Sequence, residues 1–164
     1  MGKYKLTKNR LFIYICTLYL IALFFGLFFI KTINYQSSTL KPNFIKVFCA
    51  NYWYIFLMWL FGFSIIGSLF ITLIIFFRGF IFGILLKFLI TNSLKKLFLI
   101  LAIEVILFIP SFFTLAYFSL GLSWNLMKNL LTNSNQQINT NRYLNIMIIE
   151  TIIIVIYSLI IIIN

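Results

Sequence analysis

Few side chains in this sequence could carry chemistry, and three of them lie inside apolar stretches. Glu104 and Glu150 are the two carboxylates among the 164 residues, and there is no Asp and no His. Carboxylate pairs for acid and base work, Ser-His-Asp triads, and metal clusters built from His or acidic residues all require side chains that are absent here. We therefore expect a protein that is not an enzyme, with no catalytic residue, no metal and no cofactor.

The third of these residues is Arg78, a cation in the apolar run WLFGFSIIGSLFITLIIFFRGFIFG, residues 59–83. A cation near the membrane midplane is costly, whereas a cation at a helix end can extend to the headgroups. We expect Arg78 to be an anchor at a turn that it forms with Gly79. If Arg78 lies deeper, it needs an acidic partner, and Glu104 or Glu150 must provide it.

The two carboxylates are candidate intramembrane ionisable groups. Glu104 stands six residues before Pro110, which removes a backbone donor and predicts a kink. A buried carboxyl beside a kink could serve a proton or cation path, or could pair with a cation for assembly. Glu150 is expected at the membrane interface, near a helix end.

The composition determines which elements must position these residues. Hydrophobic residues make up 63% of the chain and the mean hydropathy is +1.11, which leaves too little polar surface for a water-soluble fold. In lipid, only helices and closed barrels satisfy their own backbone hydrogen bonds, and barrel strands alternate apolar and polar residues as these segments do not. The sequence predicts an all-α, polytopic helical bundle that forms a single transmembrane domain over residues 1–164.

Five spans are predicted, at about residues 11–30, 52–75, 79–92, 97–122 and 146–163. The apolar stretch 52–90 approaches twice the length of one crossing, so we place a turn near Arg78 and Gly79. The alternative has four transmembrane helices, with 78–96 lying on the membrane or re-entering it. Polar segments 31–51 and 132–142 are predicted to be loops.

The positive charge of the chain indicates a membrane surface. Thirteen Lys and Arg give a net charge of +11, and they stand singly beside apolar spans, which favours orientation in an anionic membrane over nucleic-acid binding. Four cations within residues 3–10 predict a cytoplasmic N-terminus, and five crossings would place Asn164 outside. Cys16 and Cys49 form neither a disulfide framework nor a metal site.

Small residues in the run 59–83 predict close helix packing. Gly62 and Gly67 flank Ser64, and Gly79 and Gly83 form a GxxxG pair. Small residues let helix backbones approach closely, and hydroxyl groups can bridge helices. We expect Gly62 and Gly67 to pack one helix tightly.

These blocks together resemble the stage II sporulation protein M family. The resemblance covers nearly the whole chain and is carried by Gly62, Ser64, Ile66 and Gly67, by Arg78, Gly79, Phe80 and Gly83, and by Pro110 with the small or hydroxylated residues after it. It implies a multi-pass protein of the bacterial cell membrane that acts as a non-enzymatic scaffold, as in the sporulation engulfment machinery. The implied partners are membrane lipids and peptidoglycan hydrolases.

An alternative within the resemblance is a transport, export or immunity accessory subunit. Some relatives occur beside genes for circular bacteriocins, and Ser68 and the short chain favour that bacteriocin-linked branch. The implied partners are then transport subunits, as for an ABC-type permease. Under both interpretations we expect no nucleic acid partner, and self-association into a homo-oligomer stays open.

Overall fold

The protein is almost entirely helical in the computed structural model, which describes residues 2–29, 43–92, 94–132 and 140–163. The helices are α1 (Gly2–Phe29), α2 (Phe44–Gly62), α3 (Gly67–Asn92), α4 (Leu94–Ile103), α5 (Ile109–Thr132) and α6 (Thr140–Ile163), with a π-helical turn at Glu104–Phe108 between α4 and α5. Of the described residues, only Asn43 and residues 63–66 lie outside helices. The predicted all-α class is confirmed.

Among the described residues, five helical stretches are long and apolar enough to cross a membrane. They are Arg10–Phe29, Phe44–Gly62, Gly67–Ile90, Phe98–Thr132 and Asn141–Ile162, with hydropathies of 1.5 to 2.5. About 20 apolar residues are needed to cross a hydrocarbon core of about 30 Å, and the shortest of these stretches has 19. The prediction of five spanning helices is confirmed, in place of the four-helix alternative.

The predicted turn at Arg78 and Gly79 is wrong. Helix α3 continues through both residues, and the chain turns at residues 63–66 instead, so the spans 44–62 and 67–90 replace the predicted 52–75 and 79–92. Helix α2 also takes up the end of the predicted loop 31–51, whose residues 31–42 lie outside the described part. The remaining spans are longer than the predicted 97–122 and 146–163.

Hydropathy could not reveal this turn because its residues are as apolar as the helices. Phe63, Ile65 and Ile66 are exposed by 42%, 45% and 63%, yet none of them is polar. Hydrogen bonds satisfy the backbone instead: the Ser64 carbonyl accepts from the Gly67 N–H at 3.1 Å and from Ser123 Oγ at 2.8 Å. The partner Ser123 comes from α5, far along the sequence.

The spanning helices alternate in direction along the chain. We call the end that carries residues 63–66 the turn end, and the end where α1 stops and α2 begins the loop end. Helix α1 packs mainly along α3, while α2 contacts α3, α5 and α6. The core between the helices is apolar and includes Ile15, Ile55, Met58, Ile71, Ile75, Phe108, Phe112, Leu115 and Ile154, each exposed by 1% or less.

Glycines bring α1 and α3 into backbone contact. A Cβ atom on Gly83 would lie 2.2 Å from the Leu23 carbonyl oxygen, and one on Gly26 would lie 2.1 Å from the Phe80 carbonyl oxygen. Neither helix can therefore carry a larger residue at these positions without moving away from the other. The GxxxG pair of α3 thus packs against α1, where Gly26 supplies the matching gap.

Candidate functional site

An ion pair is buried in the middle of the bundle. Arg78 Nη2 donates a hydrogen bond to Glu104 Oε1 at 2.5 Å, and the two residues are exposed by 8% and 1%. Arg78 lies about 16 Å along α3 from its first residue, so the interpretation of Arg78 as an interfacial anchor is wrong. Its deep position requires a partner because an unpaired cation in an apolar interior is strongly unfavourable.

Tyr157 of α6 completes this site, which we call the Arg78 cluster (Arg78, Glu104 and Tyr157). The Tyr157 hydroxyl donates to Glu104 Oε2, so both carboxylate oxygens have a partner. The ring of Phe108 lies 4.1 Å from Arg78 Cζ and that of Tyr54 lies 5.7 Å from it, which adds cation–π stabilisation. Sequence reasoning missed Tyr157, although a hydroxyl-bearing ring inside the Ile-rich last span was a signal.

A π-helical turn begins at Glu104. The Ile109 N–H donates to the Glu104 carbonyl, five residues earlier, and Pro110 follows at once. Proline has no N–H and its ring crowds the carbonyl four residues before it, so a wider turn at this point relieves both problems. Glu104 and Phe108 in this turn are buried, as are Ser111, Phe112 and Leu115 in the first turns of α5.

Glu150 is buried as well, and its expected interfacial position is wrong. It is exposed by 3%, and its Oε1 lies 2.6 Å from Thr114 Oγ1, while its Oε2 has no hydrogen-bond partner among the described residues. Thr114 Oγ1 also lies 2.7 Å from the Ser111 carbonyl oxygen. Thr114 Oγ1 is the donor in both contacts, so its single proton is shared between the Glu150 carboxyl and the Ser111 carbonyl.

Polar pairs that each include a buried residue follow one line where the π-helical turn and α5 face α6, and we call this line the polar seam. From the loop end, the pairs are Glu104 with Tyr157, Thr114 with Glu150, and Ser119 with Tyr143. Tyr143 also donates to the Trp59 carbonyl of α2 at 2.8 Å, so Ser119 must donate to Tyr143. Such hydrogen bonds hold membrane helices in register.

The remaining predicted site residues lie at the turn end. Gly62 is the last residue of α2 and Gly67 is the first of α3, so they do not share one helix as we expected. A Cβ atom on Gly62 would lie 2.1 Å from the Tyr143 hydroxyl, and one on Gly67 would lie 1.7 Å from the Phe61 carbonyl oxygen. Gly62 is therefore the place where the end of α2 meets the polar seam, and Gly67 is the place where the start of α3 meets the end of α2.

Gly67→Leu should destabilise the bundle by about 2 kcal/mol, because its Cβ would overlap the Phe61 backbone and force the turn to open. The cost is moderate since the turn lies at the end of the bundle. The measurement is the thermal unfolding midpoint in a mild detergent. Ile66→Leu is the matched control, since it places leucine one residue earlier at an exposed position. Equal midpoints for the two variants would refute the close contact at Gly67.

The described part of the chain contains no group of side chains that could together bind a metal ion. No three Cys, His, Asp or Glu side chains there come together, and Cys16 and Cys49 are both free thiols. The site consists of hydrogen-bonded and ion-paired groups.

The fold and the site define a polytopic helical membrane protein whose buried polar groups pair across its helices. The sequence profile of the family described as stage II sporulation protein M matches residues 14–163. The chain belongs to the stage II sporulation protein M family, and the resemblance inferred from its residues is confirmed. No curated protein and no solved structure matches the chain.

Proposed function

We propose that this protein is a non-catalytic scaffold of the bacterial cell membrane that holds partner proteins in a membrane complex. The observation that supports this role is the pairing of buried polar groups with one another across helices. In the Arg78 cluster, groups from α3, the π-helical turn and α6 are joined in one network. Networks of this kind fix helices relative to one another, as a platform for other proteins requires.

Cell-wall proteins, and peptidoglycan hydrolases first among them, are the partners that we propose. A cytoplasmic N-terminus would place the loop end outside, on the side of the cell wall. Large apolar side chains near the loop end of α1 are available to lipid or to a partner helix: Phe24, Phe25, Phe28 and Phe29 are exposed by 56% to 79%. Membrane lipids would cover these rings where no partner helix does.

The scaffold is tested by crosslinking the protein in its native cell, solubilising it gently and identifying captured proteins by mass spectrometry. Peptidoglycan hydrolases should be enriched over a capture with an unrelated multi-pass protein of the same membrane. Enrichment of an ATPase or other transport subunits, without hydrolases, would contradict the scaffold. That result would favour an export or immunity accessory subunit.

The burial of Glu150 favours the second candidate function, that of an export or immunity accessory subunit. A buried carboxyl with one oxygen lacking a partner is the kind of group that could bind and release a proton during transport. The scaffold assigns Glu150 a role in packing only. The two functions therefore differ in what they predict for a neutral replacement of this side chain.

Glu150→Gln should change the free energy of unfolding by less than about 1 kcal/mol, because the amide keeps the shape of the carboxyl and its oxygen can still accept from the Thr114 hydroxyl. Partner recovery should also be unchanged. Glu104→Gln is the matched control: the same chemical change there leaves the Arg78 charge unpaired, and we expect a much larger loss. Intact folding with lost export or immunity in Glu150→Gln would contradict a scaffold role for this residue.

A further inference from the structure

Two cavities meet at Arg78. The first has a volume of about 430 Å³ and extends from Arg78 and Glu104 to Lys46, in the first turn of α2. The second has a volume of about 530 Å³ and is bordered by Trp53, whose side chain is exposed. Both share Ala50 and Asn51 of α2 as part of their walls. Arg78 thus lies at the inner wall of two spaces on the loop-end side of the bundle.

The polar side chains at these cavities have N–H groups that donate no hydrogen bond to the described residues. Arg78 gives one Nη2 hydrogen bond to Glu104, and its Nε is buried with no partner among the described residues. Asn51 is exposed by 8% and donates from Nδ2 to the Val47 carbonyl at 2.8 Å, which uses one of two N–H bonds. Lys46 adds an exposed ammonium group. These groups favour an anion.

The rest of the first cavity is apolar. Its other walls come from Val47, Ile81, Phe82, Leu85, Ile100 and Ile161, besides Tyr157. Inorganic phosphate would fill only a small part of the space and would leave these walls without contacts. A ligand that matches the whole cavity therefore has an anionic head and a hydrocarbon part.

The charge balance agrees with a monoanionic head. Among the described residues that line the first cavity, Arg78 and Lys46 bring two positive charges and Glu104 brings one negative charge, which leaves one positive charge in excess. Both oxygens of Glu104 already accept hydrogen bonds, from Arg78 and from Tyr157. An incoming phosphate or carboxylate would take the unused donors of Arg78, which suit planar and tetrahedral anions.

We propose that the cavities at Arg78 form a binding site for an amphiphilic anion with a phosphate or carboxylate head. Lys46, Asn51 and Arg78 hold the head, and the apolar wall holds the hydrocarbon. Two kinds of molecule have such a head and a hydrocarbon part: a membrane phospholipid and a soluble amphiphile. A membrane phospholipid would enter between α2 and α3 through the second cavity, and a soluble amphiphile would enter past Lys46.

The first test measures thermal unfolding of the full-length protein in a non-ionic detergent with added dodecyl phosphate. The midpoint of the wild type should rise with dodecyl phosphate and should not respond to inorganic phosphate. Lys46→Gln should weaken the apparent affinity about tenfold, the effect of losing one charge-assisted contact. Lys128→Gln, which removes one exposed cation of α5, should behave as the wild type. No response of the wild type, or equal responses of the two variants, would overturn the proposal.

A second pair of variants fills the space without changing the charge. Ala50→Phe places a ring at the wall that both cavities share, at an exposed position where the larger side chain leaves the core intact. It should abolish the response to dodecyl phosphate. Ala102→Phe makes the same change at an exposed position of α4 that borders neither cavity, and it should keep the response. If both variants keep the response to dodecyl phosphate, the proposal is overturned.

Native mass spectrometry identifies the source of the ligand. Protein released from nanodiscs that contain phosphatidylglycerol and phosphatidylcholine should keep phosphatidylglycerol in the wild type and in Lys128→Gln, but not in Lys46→Gln, if the ligand is a lipid. Absence of bound lipid, together with the dodecyl phosphate response, identifies a soluble amphiphile. Equal retention of phosphatidylglycerol by Lys46→Gln and Lys128→Gln would show general charge attraction and would overturn the site.

Discussion

Glu104→Ala should destabilise the folded bundle by about 3–5 kcal/mol, the range found when one partner of a buried ion pair is removed. The substitution leaves the Arg78 guanidinium, exposed by 8%, without its carboxylate, and it also leaves the Tyr157 hydroxyl without an acceptor. Arg78 cannot extend to the headgroups to avoid this cost because it lies deep in α3. The measurement is the free energy of unfolding in mixed detergent micelles, followed by far-ultraviolet circular dichroism.

The double variant Arg78→Met, Glu104→Leu distinguishes charge from packing. It removes both charges and fills the space with apolar side chains, which is often neutral for buried ion pairs. We expect it to recover most of the stability lost in Glu104→Ala. Tyr157→Phe is a graded control that keeps the ion pair and loses one hydrogen bond, at a cost of about 1–2 kcal/mol. If the double variant is as unstable as Glu104→Ala, the packing of the two side chains stabilises the bundle and the pairing of their charges does not.

Gly83→Ala should cost about 3 kcal/mol, the upper end of the range for overpacking, because the new methyl group meets a backbone atom. The Cβ would lie 2.2 Å from the Leu23 carbonyl oxygen and 3.0 Å from Gly26 Cα. Neither atom belongs to a flexible side chain, so α1 must move away from α3 along its length. The same unfolding measurement detects the loss, and a crosslink between α1 and α3 should form less efficiently.

Gly121→Ala is the control for this prediction. It makes the same chemical change in α5, where an added Cβ meets nothing within 4 Å. The higher helix propensity of alanine should leave this variant as stable as the wild type or more stable by up to about 1 kcal/mol. If Gly83→Ala and Gly121→Ala are equally stable, the close approach of α1 and α3 does not hold them together.

The sequence could not predict which helix packs against each small residue, although the small residues themselves predicted close helix packing. Gly79 and Gly83 predicted a close helix contact, but the GxxxG spacing alone does not say that α1 provides the other surface. Gly26 ends up opposite Gly83 because α1 and α3 run in the same direction. That pairing depends on where the chain turns, and three of the four residues of that turn are apolar.

The sequence by itself determined the class of the protein. A chain with 63% hydrophobic residues and two carboxylates can fold only where apolar side chains face lipid, and five helices follow from the lengths of its apolar stretches. The tertiary structure alone decided what Arg78 does. A hydropathy scale describes the free energy of moving each residue by itself from water to an apolar environment. The place of a buried charge depends instead on a partner that the fold brings from another helix. Glu104 supplies that partner, so a residue that resembled an interfacial anchor lies at the centre of the bundle.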